Sequence, residues 1–308
     1  GAESNISFRN YGVMRSPYSR LLSKSIAKEY SFHFENYLFP RKKIIFVDAD
    51  NTLWGGVVGE DGVNGVKIGH EYPGSTFYSF QLSLLRLKSA GVLLALVTKN
   101  NLADIQEVFV ERDMPLSLSD FVAVKANWER KSENIEQLLQ SLNIGVSSSL
   151  FVDDNPFEVE EVSRMHTEIT ALKFDINNFN SFYAEFIKSS HLYAHNITQE
   201  DVFKTASYVE EEKRKNSLSK SNSFKDYLRD LSIKTTVHLN DLSLTSRISQ
   251  LSQKTNQFNL TTNRYSISEV EDFMKTDNVF AFSVKDKFGS MGVVGVVIVV
   301  ENSIDCFL

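Results

Sequence analysis

The chain of 308 residues has a single cysteine, Cys306. One thiol cannot build an internal disulfide framework, and it cannot supply a cysteine-cluster metal site. Such usage fits a reducing compartment, and a cytoplasmic location is the expectation. Positive charge is not in excess either: 33 basic residues face 39 acidic ones, for a net charge of −6. That balance argues against nucleic-acid binding driven by overall basicity and against a polybasic membrane surface. No apolar run approaches the roughly 18 residues of a membrane-spanning helix. The longest runs, at 91–97 and 293–300, have the length of buried strands. No basic region followed by an apolar core opens the chain, so no signal peptide is expected. Neither nucleic acid nor a membrane is expected as a partner. Internal repeats and low-complexity tracts are also missing.

What is present suits a folded protein. Charged residues make up 23% and the hydrophobic set 42%, with 23 phenylalanines to fill a core. The length is that of two ordinary domains or one large one. Residues 1–40 are mixed and aromatic, with helical spacing over 18–37 that puts Leu21, Leu22, Ile26 and Tyr30 on one face. Apolar strands are expected at 44–47, 92–98, 121–124 and 148–153, and helices at 76–89, 102–112 and 132–142. Strands alternating with helices indicate parallel βαβ units and a doubly wound α/β sheet. The pattern changes near residues 183–196. A charged stretch over 200–225 is expected to be a solvated helix end and loop. Strands then follow at 233–239, 279–284 and 293–300, with helices at 243–253 and 266–274, in a second α/β domain of antiparallel character. The expected divisions are a helical segment at 1–40, a catalytic domain at 41–196 and a smaller domain at 197–308. The chain stops inside the apolar Cys306-Phe307-Leu308, where a strand is expected to continue.

The chemistry-bearing signal is VDADNT, in which Asp48 and Asp50 stand one residue apart just past a buried strand. Carboxylates so close repel one another unless a cation lies between them. Magnesium, which takes oxygen ligands in octahedral geometry, is the natural guest. VDDNP repeats the arrangement, with Asp153 and Asp154 behind another apolar strand. The C-terminal ends of strands in an open parallel sheet converge on one crevice, so these acids could surround one Mg²⁺. Thr98 ends a third strand in LVTKNN and could offer its hydroxyl to a phosphate, or cap the next helix. Lys131, at a helix start, could balance phosphate charge, or be a surface lysine. His70, His166 and His238 have no partner-like spacing and are expected to be structural.

This set resembles the haloacid dehalogenase superfamily of phosphotransferases, whose four motifs occur here in order: DADNT, a strand ending in Thr98, Lys131, and the Asp153-Asp154 pair. The resemblance implies that Asp48 is a nucleophile forming an aspartyl-phosphate and that Asp50 is general acid, then base. It implies that Mg²⁺ is held by Asp48, the backbone carbonyl of Asp50 and Asp154, with Asp153 a direct or an indirect ligand. Thr98, Lys99, Asn100 and Lys131 would bind the phosphoryl group. These enzymes often insert a lid after the first or the second motif. Neither gap here is long enough to hold one, so an open crevice without a large cap is expected, suited to a large substrate or one presented by another protein.

The strings DADNTLWGGVVGEDG, TKNN, LNIG, FVDDNPFE and QLSQKTNQFNLTTNR look like the FkbH-like family of polyketide pathways, over nearly the whole chain from about residue 40. That resemblance implies transfer of the three-carbon unit of 1,3-bisphosphoglycerate, with dephosphorylation, to the phosphopantetheine thiol of an acyl carrier protein. Trp54 and Gly55 would lie at the substrate, although Trp54 reads equally as a core residue. The smaller domain resembles an acetyltransferase-like fold, and QKTNQFNLTTNR reads as a substrate-contacting rim or as a polar helix end. Two positions depart from the family pattern. Val97 stands where members carry a cysteine proposed to hold the glyceryl thioester, and Val159 where they usually have arginine. Either transfer to the carrier thiol is direct, or this chain has lost the step. The alternatives are a carrier-independent phosphatase and a non-catalytic binding module.

Overall fold

In a computed structural model, the described residues are 6–38, 42–189, 207–211, 213–214, 217–218, 223–254, 263–301 and 303–308. The chain divides into two compact units, residues 1–206 and 207–308. The division expected between residues 196 and 197 falls outside the described residues.

The first unit is built on five parallel strands: β1 (Ile44–Val47), β2 (Leu93–Thr98), β3 (Phe121–Ala126), β4 (Ser149–Asp153) and β5 (Thr170–Lys173). Their order in the sheet is β3-β2-β1-β4-β5. β1, β2 and β4 are buried along their whole length. That explains why they read as unbroken apolar runs, since helices cover both faces of a parallel sheet. The connections use α3 (Val58–Gly65), α4 (Gly74–Ser89), α5 (Leu102–Glu111), α6 (Lys131–Leu142) and α7 (Pro156–Met165), and α8 (Phe179–Ser189) follows β5. Between Thr98 and Lys131 there is only α5, a single 3-10 turn and β3, so no lid is inserted there.

Phenylalanine fills one side of the core. Phe80 of α4 lies 5.2–5.5 Å, centroid to centroid, from Phe174, Phe182 and Phe186. Phe77 stacks on Phe174 at 5.5 Å. Ahead of the sheet lie α1 (Phe8–Met14) and α2 (Arg20–Leu38). The spacing over 18–37 does form a helix, but Leu21 and Tyr30 on its apolar face stay exposed.

The second unit is an antiparallel sheet of order β6-β7-β8-β9. It comprises β6 (Lys234–Leu239), β7 (Asn278–Lys285), β8 (Ser290–Val300) and β9 (Ser303–Phe307), with helices α9 (Phe224–Asp230), α10 (Thr245–Lys254) and α11 (Ile267–Thr276). Its core gathers Ile248, Val270, Val279, Val296, Ile298 and Cys306. Burial pushes the Cys306 thiol up to about 11, followed by the nearby Asp305 charge, so at neutral pH it is a small apolar side chain. The charged stretch 200–225 is described only in part, and residues 255–262 of the KTNQFN region lie outside the described residues.

Removing the central ring of the aromatic layer, Phe80→Ala, leaves a cavity among three phenylalanines. A loss of about 3–5 kcal/mol is expected, read as a shift of the denaturant midpoint.

Candidate functional site

Sheet order decides which side chains meet. β1 lies between β2 and β4. The chain winds to one side through β2 and β3 and to the other through β4 and β5, so the switch point lies between β1 and β4, where an open α/β sheet leaves a crevice. Val47 is level with Val152, which puts Asp48 beside Asp153 at the carboxyl ends of two neighbouring strands. The Asp48 amide donates to the Val152 carbonyl at 3.0 Å. Beyond the strands, the Asp154 amide donates to the Thr52 hydroxyl at 3.1 Å, tying the turn after β1 to the turn after β4. Asn51 shapes the first turn with φ 55°, and its carbonyl oxygen accepts from the Gly56 amide at 2.8 Å.

Together these turns enclose a cavity of about 340 Å³ lined by Asp48, Asp50, Asn51, Thr98, Lys99, Asn100, Lys131, Asp153, Asp154 and Glu158, among others. Oxygens of Asp48, Asp153 and Asp154 all lie within 4.8 Å of one another. The Lys131 ammonium, only 4% exposed, stands 2.8 Å from Asp48 Oδ1 and 2.5 Å from Asp153 Oδ2. The Asp153 contact is an aligned hydrogen bond. The Asp48 contact is not, and Asp48 Oδ1 is left buried without a hydrogen-bond partner. A buried oxygen held only by that ion pair, beside two further carboxylates, is a donor set for a hard divalent cation.

One ammonium thus faces three carboxylates. Burial works against the charge on Lys131, but attraction to Asp48 and then to Asp153 outweighs it, and its pKa is raised. Asp153 is raised as well, by burial and then by the Asp48 charge, which the single lysine does not offset. Burial and then Asp48 lift Asp154 to about 6. Asp50 sits apart from this group, so its side chain is not among the clustered carboxylates. Its Oδ1 accepts from Trp54 Nε1 at 2.8 Å and from the Val58 amide at 3.2 Å, and its Oδ2 from Asn100 Nδ2 at 3.0 Å. Its pKa is nevertheless raised, because burial outweighs those donors.

The remaining expected residues divide into groups. Thr98 is buried at the end of β2, and its hydroxyl accepts from Asn100 Nδ2 at 3.1 Å, so it does not cap α5. Lys99 lines the cavity but pairs with Glu158 at 2.5 Å, which takes up part of its charge. Of the two readings of Trp54, the core one matches its packing: its side chain is 0% exposed and lies edge-on against Phe109, and its Nε1 donates to Asp50. Gly55 is bridged to Lys67 by two backbone hydrogen bonds of 3.0 and 2.7 Å. It lines a second cavity rather than the one holding Asp48. Val97 is 0% exposed and lines neither of these two cavities. Asn51 and Glu158 were not singled out in advance. The signals were there in DADNT and NPFE, but only the folded turns bring them to the cavity.

No protein-family model matches the chain, and no curated protein matches it. Among solved structures the chain is similar to the N-terminal part of protein BF1531 from Bacteroides fragilis, which contains a phosphatase domain complexed with Mg. The identity is 31% and the TM-score 0.52, over 62% of this chain and 50% of that one. The chain therefore spans about half the length of that structure. Two weaker likenesses are a haloacid dehalogenase family enzyme from Bacteroides thetaiotaomicron in complex with magnesium and inorganic phosphate (12% identity, TM-score 0.30, 42% of this chain and 93% of that one), and the 3-deoxy-D-manno-octulosonate 8-phosphate phosphatase of Moraxella catarrhalis (18%, 0.28, 51% and 98%). TM-scores this low add no weight. The five-stranded parallel sheet and the BF1531 likeness give the chain a haloacid-dehalogenase-like fold.

The acid cluster has a measurable consequence. Asp154 titrates near 3.8 when unfolded and about 6 when folded. The folded chain therefore holds a proton that the unfolded chain releases, and the stability from this group falls as pH rises through that window. In EDTA, Asp154→Asn is expected to raise the thermal midpoint at pH 7.5 and to change it little at pH 4. Added Mg²⁺ is expected to stabilise the wild type at pH 7.5 more than the variant.

Proposed function

We propose that the chain is a Mg²⁺-dependent phosphoryl-transfer enzyme of the haloacid dehalogenase type. Its substrate is a phosphorylated three-carbon acyl unit destined for a carrier-protein thiol. The observation that carries the reading is the convergence of Asp48, Asp153 and Asp154 on one cavity, with Asp48 Oδ1 buried and held only by its ion pair with Lys131. Three carboxylates sharing one ammonium are short of positive charge, which a divalent cation and its phosphoryl ligand would complete. The Mg found with the phosphatase domain of BF1531 supports the same cation here.

Bound by Asp48, Asp153 and Asp154, Mg²⁺ supplies the positive charge that lets an anionic carboxylate approach an anionic phosphate. The chain's own residues do the rest. A carboxylate oxygen of Asp48 attacks phosphorus; the new O–P bond forms as the bond to the leaving oxygen breaks. Asp50, kept above the ordinary carboxylate range by burial, gives its proton to that oxygen. It then takes one from the water that attacks the aspartyl-phosphate, freeing Asp48 and releasing phosphate. Lys131 offsets charge at Asp48, and Thr98 and Asn100 stand at the cavity wall to orient phosphoryl oxygens. Asp48 takes the phosphoester phosphate of the substrate and leaves its acyl phosphate intact; for thioester formation the carrier thiolate attacks the acyl-phosphate carbon, a C–S bond forms, a C–O bond breaks and that second phosphate leaves. With valine at position 97 in place of the cysteine of the resemblance, this transfer is direct. The FkbH-like strings around Trp54 and residues 253–264 support the carrier as acceptor, and no lid is inserted between Thr98 and Lys131 to bar it. The same Val97 favours a second reading, a carrier-independent phosphatase.

Two measurements separate these. Asp48→Asn is expected to abolish phosphate release, and Asp50→Asn to slow it by about 10²–10⁴-fold, with malachite-green phosphate detection as the readout. The protein incubated with Mg²⁺, 1,3-bisphosphoglycerate and a holo carrier protein is expected to give a carrier heavier by one glyceryl unit in the mass spectrum. Carrier-independent phosphate release without that adduct would establish the phosphatase reading instead.

A further inference from the structure

Among the described residues, the cavity that holds Asp48 has two cations in its lining, Lys99 and Lys131, against five acids: Asp48, Asp50, Asp153, Asp154 and Glu158. Lys131 is committed to Asp48 and Asp153. Lys99 is committed to Glu158, whose Oε1 stands 2.5 Å from its ammonium. Topology gives that pair a particular place. Lys99 follows the last residue of β2, and Glu158 lies in the first turn of α7, just after β4. β1 runs between β2 and β4, so the pair joins the elements on either side of the strand that leads into Asp48. Helix capping does not account for the direction Glu158 takes. Asn155 caps α7, and its side chain accepts from the Phe157 amide. An acid three residues after a cap ordinarily turns back to the cap's own amide. Here that amide donates to Asp153 Oδ1 at 2.9 Å, and Glu158 meets a lysine 59 residues away in the chain. Water screens the pair only in part, since the Glu158 side chain is 16% exposed.

Resting on the reading of Asp48 as a phosphoryl acceptor, we propose that Glu158 is an internal competitor for the phosphoryl group. Its carboxylate occupies the one cation of the cavity that the aspartates beside Asp48 do not hold. A phosphoryl group arriving at Asp48 takes Lys99 from Glu158, and the flexible lysine stem lets the ammonium change partners while the backbone stays in place. Entry is therefore an exchange of one anion for another, and Glu158 sets how tightly the site holds phosphate, whatever carbon body the phosphate carries. The opposite role, a brace that holds Lys99 ready for the phosphoryl group, would make Glu158 an aid to binding. The two roles differ in sign.

The test measures binding apart from turnover. Inorganic phosphate is titrated calorimetrically, with Mg²⁺ at low ionic strength, into the full chain and into Glu158→Gln, Glu158→Ala and Lys99→Met. Removing a charge that competes for a partly exposed lysine is expected to tighten phosphate about three- to tenfold in both Glu158 variants. Lys99→Met is expected to weaken it by a similar factor. In crystals of the wild type grown with Mg²⁺ and phosphate, the Lys99 ammonium is expected on a phosphate oxygen and no longer on Glu158. Unchanged or weaker phosphate binding in the Glu158 variants, phosphate binding to none of the proteins, or Lys99 still paired with Glu158 in those crystals overturns the proposal. Turnover is read separately, as phosphate release from p-nitrophenyl phosphate and 1,3-bisphosphoglycerate. Absence of release from either, with phosphate tightened by Glu158→Gln, refutes the phosphoryl-transfer reading and leaves the competition standing. Release without that tightening does the reverse.

Discussion

A single buried ammonium shared between carboxylates of two strands governs this site. Lys131 is closed off from water between Asp48 and Asp153, with Asp154 beside them. Taking each of these ions out of water costs several kcal/mol, and one lysine cannot compensate three acids. The cluster is therefore short of positive charge, and that shortage determines what it will accept. A divalent cation would meet it, and in the proposed function that cation would bring in an anionic group. Local helix chemistry opposes the arrangement, because Lys131 occupies the first position of α6, where the helix dipole disfavours a cation. Lys131 is held against that local preference by its two ion pairs with Asp48 and Asp153.

The scaffold meets this demand through topology. Burying β1, β2 and β4 on both faces fixes their ends relative to one another. The switch between β1 and β4 then puts the two aspartate pairs on the same crevice. The Thr52 hydroxyl links their turns, so the acid groups on the two strands share one rigid frame. With only a helix, a 3-10 turn and a strand between Thr98 and Lys131, no lid is inserted at that point. Orientation is built in beforehand instead, by donors from Trp54, Val58 and Asn100 converging on Asp50.

Much of this was legible in the sequence, and the reasons are physical. Parallel strands covered on both faces must be continuously apolar, so β1, β2 and β4 stand out as short runs ending in Asp, Thr or Asp. Residues at those ends share a crevice whatever the details of packing, which is why the grouping of Asp48, Thr98, Lys131, Asp153 and Asp154 could be anticipated. Contacts that depend on the path of a turn were beyond reach. Nothing in the spacing of Lys99 and Glu158 says that they pair. Nor does Trp54 disclose that its ring is sealed in the core while its N–H serves Asp50. The apolar face of α2 followed helical periodicity, but periodicity does not say what covers a face, and Leu21 and Tyr30 remain in contact with solvent.

The placement of the two indoles gives the molecule an optical property. Trp54 lies in an apolar surrounding with its N–H bound to a carboxylate, whereas Trp128, 70% exposed, faces water beside α6. Their emission is therefore separable by wavelength and by access to a dissolved quencher. Light from the inner indole tracks the state of one acid group, Asp50, while that from the outer one tracks the solvent around Asn101, to which its N–H donates.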